Sequence, residues 1–161
     1  MKERTITIAK KDIFFDVDAQ THVFARATEG SNLKRADALE ADSADTMAGS
    51  LLTRYADQRI GELEERISRF LKTPTSAVTS AAAAIGTATS YTMTLYVETG
   101  FQDELLDPLA KAMEKYVAHG VTADWYTAAG DALGGVYLQM LPGDLARIQE
   151  YLVKRKTPSR S

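Results

Sequence analysis

The 161-residue sequence carries 19 lysines and arginines against 22 aspartates and glutamates, a formal net charge of −3, and is 45% hydrophobic. That length corresponds to one domain with a core of its own, and the slight acidity excludes a global attraction to nucleic acid or anionic lipid. Cysteine is absent, which excludes disulfides, thiol catalysis and thiolate metal centres together.

The first residues, MKERTITIAKKD, are basic without an apolar run behind them, so no signal peptide is expected. Residues 77–88 form the least polar window, too short and too rich in Ser and Thr to cross a bilayer. No membrane contact is expected, and synthesis in the cytoplasm is. Residues 5–8 alternate as a half-buried strand does. Residues 12–18 alternate again, with Ile13, Phe15 and Val17 against Asp12, Phe14, Asp16 and Asp18. Residues 21–27 set His22 and Phe24 against Val23 and Ala25. This predicts a β-hairpin arm over 1–30, although Ala19-Gln20 is poor chemistry for a tight turn.

Residues 29–32 read as a loop, and 33–44 as a weak helix or a linker. A long amphipathic helix is predicted over 45–72. Ser43 or Asp45 can cap it, Leu52, Ala56, Ile60, Leu63, Ile67 and Phe70 form its apolar stripe, and Pro74 ends it. Residues 73–90 are an Ala/Ser/Thr-rich connector without charge. Residues 91–97 alternate cleanly and predict the strand that partners the N-terminal arm.

A helix pair follows over 101–155. Its first stripe is Leu105, Leu109, Ala112, Met113, Tyr116, Val117 and Gly120; its second is Leu133, Tyr137, Leu141, Leu145, Ile148 and Leu152. Helical phase continues across Pro142, which implies a kinked helix or two collinear ones. The chain ends KRKTPSRS, of which residues 156–161 are the basic tail. The expectation is an α+β domain, mainly α: a bundle of three to four helices with a small N-terminal hairpin and one further strand.

The chemistry-bearing residues are sparse. His22 and His119 are the only histidines, and neither stands at triad-like spacing with Ser and Asp. Asp16, Asp18 and His22 would share a hairpin face, a thin ligand set for a divalent metal; the wet face of a strand explains them equally. Glu64-Glu65 and Asp103-Glu104 are adjacent pairs that cannot converge on one substrate. No phosphate-loop, dinucleotide, zinc-protease or nucleophile-elbow pattern occurs. The reading is a protein that is not an enzyme, with no cofactor and no metal. Trp125 is expected in the core and Tyr126 either there or at an interface. The partner-interface candidates are Phe14, Phe24, Tyr126, Lys154, Arg155, Lys156 and Arg160. The last four allow weak, salt-sensitive, non-specific contact with DNA.

The block from Tyr91 to Arg160, YTMTLYVETGFQDELLDPLAKAMEKYVAHGVTADWYTAAGDALGGVYLQMLPGDLARIQEYLVKRKTPSR, resembles a C-terminal pattern of tailed-bacteriophage head–tail connector (adaptor, neck) proteins. In that pattern a strand leads to a helix ending near "YV…DWY". A second helix with an internal Tyr follows, then a short basic tail with Pro. The matching residues are Tyr116, Val117, Asp124, Trp125, Tyr126, Tyr137, Leu145, Ile148, Leu152, Arg155, Pro158 and Arg160. The resemblance implies a structural virion protein, assembled in the host cytoplasm as a homo-oligomeric ring between the portal protein and the tail-side neck proteins. The alternative is a cytoplasmic bacterial helical interaction or regulatory domain; a small metal-dependent enzyme at Asp16, Asp18 and His22 is more remote.

Overall fold

The structure is a computed structural model that describes residues 1–29, 40–73 and 90–155. Most of the predicted 33–44 linker, the bulk of the 73–90 connector and the 156–161 tail lie outside the described residues.

Strand β1 (Lys2–Ala9) runs directly into helix α1 (Lys10–Glu29). Helix α2 (Thr46–Arg66) follows, and a single 3-10 turn, Ser68–Phe70, leads to the short strand β2 (Leu71–Thr73). Strand β3 (Ser90–Val97) then precedes α3 (Leu106–Ala128) and α4 (Leu133–Val153). The fold is mainly helical α+β, as expected: four helices and a three-stranded antiparallel sheet ordered β1-β3-β2 among the described residues.

The sheet follows from alternation. Tyr91, Met93, Leu95 and Val97 are buried on β3 and Ile6 and Ile8 on β1, whereas Glu3, Thr5, Thr7, Thr92 and Tyr96 face out. The β1–β3 register runs from Lys2 opposite Val97 to Ala9 opposite Ser90. Residues 91–97 are therefore the partner of the N-terminal strand.

The hairpin expected within 1–30 is corrected. Residues 12–18 and 21–27 belong to one 20-residue helix. Its buried residues Ile13, Val17, Thr21 and Ala25 are each four apart, a helical spacing that the two-residue alternation of Ile13, Phe15 and Val17 obscured. Residues 10–29 contain neither Gly nor Pro to interrupt them. Ala19-Gln20, a poor turn, is simply the middle of the helix.

The helix predicted over 45–72 ends earlier, at Arg66. Leu71 and Thr73 pair with Leu95 and Thr94 across a register shift, so the last residues are recruited to the sheet edge. Asp45 is the N-cap, its Oδ2 accepting from the Ala48 amide at 2.9 Å. Ser43 turns instead toward α1, its hydroxyl donating to Asp18.

Helix α3 is the axis of the molecule. Every residue from Tyr116 to Ala123 is buried, as a helix enclosed by others requires; α4, α2, α1 and β1 all pack on it. The α2–α3 crossing is tight at Gly120. A Cβ there would stand 2.6 Å from Arg59 Cδ, and the guanidinium continues past it to grip Asp124 with two hydrogen bonds of 2.9 and 2.7 Å. The α3–α4 corner turns at Gly130, whose φ of +71° suits glycine. Pro142 lies inside the continuous helix α4 on its exposed side, while Tyr137, Leu141, Ile148 and Leu152 hold one buried face across it.

Candidate functional site: the partner surfaces

The predicted interface residues do not form one patch. Phe14, expected at the surface of a hairpin, is half-buried against the core from α1. Phe24 lies near the end of α1, its ring edge-on to Tyr126 and Tyr137 with both centroids at 6.3 Å. This is the favoured aromatic geometry. Phe24 is 37% exposed.

Tyr126 is fully buried, which removes it from the exposed interface candidates; its hydroxyl has no hydrogen-bond partner among the described residues. Burial, with Tyr137 and Asp131 nearby, pushes its phenol above the usual range. Trp125 is half-buried and packs against the core, in keeping with its expected role. Adjacent residues on a helix are about 100° apart, and the stripe Gly120, Ala123, Tyr126 selects Tyr126 as the inward one.

Lys154 and Arg155 are exposed just beyond α4. Arg155 Nη2 meets Glu98 Oε1 at 2.6 Å, and its backbone bridges to Phe101, which anchors the chain there before the basic tail. Lys156 and Arg160 lie outside the described residues.

Neither histidine stands in a catalytic array among the described residues. His119 Nδ1 lies 2.6 Å from Asp144 Oδ2, tying the middle of α3 to α4 in a largely buried contact. His22 Nδ1 lies 2.7 Å from Glu40 Oε1 near the surface. Asp18 and His22 are four apart and share a side of α1, whereas Asp16 is turned away. No group of three or more ligating side chains converges as a metal site among the described residues. Lys10 is buried over the Tyr91 ring, 5.7 Å from its centroid. Desolvation lowers its pKa while Asp57 opposes the shift. The Tyr91 hydroxyl donates to Asp57 Oδ1 at 2.6 Å, which places this cluster in the framework.

Two surfaces were missed by sequence. On α1, Phe15 is 72% exposed and Val23 is also open; with Ala19 they repeat every four residues, a signal visible only once the segment is read as a helix. On α4, Val136 and Met140, four apart on one side of the helix, are exposed, and Leu138 is exposed on the opposite flank; the stretch 132–143 has no charged side chain.

Comparisons with known proteins give no assignment: no protein-family model matches the chain, and no curated protein or solved structure matches it.

Proposed function

We propose that the chain is a structural subunit of a tailed bacteriophage or prophage that forms a ring at the head–tail junction, between the portal and the tail-side neck proteins. The observation that carries this reading is the element order over the stretch of resemblance. Strand β3, helix α3 and helix α4 follow one another. Tyr116, Val117, Asp124, Trp125 and Tyr126 lie on α3, Tyr137 on α4, and Arg155 just beyond.

The apolar surfaces on α1 and α4 support it. A ring subunit meets its neighbours through two different surfaces, one toward each, and exposed apolar patches mark such contacts. In this reading the protein works by shape: the four helices form the wall of the ring, and the basic C-terminal residues contact neighbouring copies, the portal or passing DNA. It catalyses no reaction and uses no cofactor.

The test is genetic and compositional. Deleting the gene from the phage or prophage that carries it is expected to leave filled heads and free tails that do not join, and purified virions should contain peptides of this chain. Normally tailed particles lacking the chain would contradict the reading and favour a cytoplasmic interaction or regulatory domain.

A further inference from the structure

Between α1 and the residues entering α2 lies an open cleft of about 670 Å³, lined by Phe15, Asp18, Ala19, His22, Glu40, Ala41 and Asp42. Phe15, Ala19 and Ala41 give it an apolar side, and the Phe15 ring is exposed. Among the described residues its charges are Asp18, Glu40 and Asp42. Each is engaged locally: Asp18 accepts from Ser43, Glu40 meets His22 and Asp42 accepts from the Ala44 amide. No lysine or arginine among the described residues pairs with any of them. The negative potential is felt inside: burial first, and the Asp42 and Glu40 charges with it, push the Asp18 carboxyl up against the pull of its Ser43 hydrogen bonds. An aromatic ring beside carboxylates that no described lysine or arginine pairs with fits a lysine or arginine side chain, held by ring and charge together.

The chain contains a segment of that chemistry. Beyond Arg155 come Lys156 and Arg160, with no acid among residues 154–161. Arg155 is anchored at Glu98 and Phe101, by the start of α3. The cleft lies on the middle of α1, with Asp18 about 9 Å of helix short of Phe24. The five residues from Arg155 to Arg160 span at most about 18 Å, and in a head-to-tail ring the neighbouring copy presents its cleft as the second surface on which such a segment can dock.

We propose that the α1 cleft is the docking site for the basic C-terminal segment of a second copy of this chain, with Lys156 or Arg160 seated against Phe15 and among Asp18, Glu40 and Asp42. The contact joins two different surfaces, so it repeats head to tail and closes into a ring or extends as a filament. It specifies one subunit contact of the ring reading and rests on that reading for its biological setting, though not for its binding chemistry.

The test uses full-length chains that keep their folded circular-dichroism spectrum and cooperative melting. Tail reversal (K156E with R160E) and cleft reversal (E40K with D42K) should each weaken self-association in light scattering by about tenfold or more at low salt. Mixing the two variants, or combining all four changes in one chain, should restore it. A synthetic peptide of residues 154–161 should bind the tail-reversed protein, bind Phe15→Ala and cleft-reversed forms of it about tenfold more weakly, and lose affinity with salt. Equal peptide binding to all three forms, association untouched by either reversal, or tail capture independent of protein concentration would overturn the proposal. Rings that survive both reversals would refute this contact and leave the ring reading standing. Peptide capture at the cleft by a chain that never forms rings would keep the contact and refute the ring.

Discussion

Replacing Gly120 by alanine tests the α2–α3 crossing through the sign of its effect. On propensity alone the change stabilises a helix by about 1 kcal/mol. The structure predicts the opposite. The new Cβ would lie 2.6 Å from Arg59 Cδ and 2.9 Å from its Cγ and Nε, well inside the optimum of about 3.5–4 Å. Arg59 cannot yield easily, because its guanidinium is held by Asp124 on both oxygens and by Glu62 at 2.7 Å. Overpacking costs about 1–3 kcal/mol. Loosening the largely buried Arg59–Asp124 pair adds a part of the roughly 3–5 kcal/mol that outright loss of a buried partner costs. After subtracting the propensity gain, Gly120→Ala should destabilise by about 2 kcal/mol, lowering Tm by about 4–8 °C. Denaturant titration measures this. In an Arg59→Ala background the obstacle is gone, and the same change should become neutral or stabilising. A Gly120→Ala protein as stable as the parent, or an equal loss in both backgrounds, would refute the reasoning.

Further outcomes follow from individual contacts. Arg4 and Lys2 hold the Asp103 carboxyl well below its ordinary 3.8; this stability is present above that value and lost as pH falls from it toward the depressed folded value. Asp103→Asn should therefore lower Tm slightly at neutral pH, more at low salt, and the difference should vanish in strong acid; a constant difference at every pH would contradict this assignment. Tyr91→Phe keeps the ring under Lys10 but strips Asp57 of its donor, and should cost about 1 kcal/mol in denaturant titration. Phe24→Ala should remove the edge-on partner of Tyr126 and Tyr137, costing about 1–2 kcal/mol and altering the near-UV circular dichroism of the tyrosines. An unchanged spectrum would place that ring elsewhere.

The parts of this fold legible in the sequence are those with a single periodicity. Leu52, Ala56, Ile60 and Leu63 on α2 and Ile67 at its C-cap are all fully buried, and the outward Thr92 and Tyr96 alternate with a buried stripe on β3. Helix α4 kept its phase through Pro142 because the proline sits on the exposed side of the helix. Helix α1 was misread because one member of its buried row is Thr21, whose hydroxyl accepts from the Ala41 amide. A polar residue satisfied by a distant backbone group leaves no hydrophobic signal. Strand β2 has three residues and owes its state to the neighbouring β3, which no local pattern records. The cleft combines Phe15 and His22 with Glu40 and Asp42, and that juxtaposition exists only after α1 forms and the chain returns alongside it.

The most direct test of the central claim is the mass of the purified full-length protein by light scattering over a range of concentrations, with negative-stain imaging of the large species. The account predicts closed rings of many copies whose population rises with concentration and falls on charge reversal of Lys156 and Arg160. A stable, compact dimer at every concentration, with no ring when portal protein is added, would contradict it.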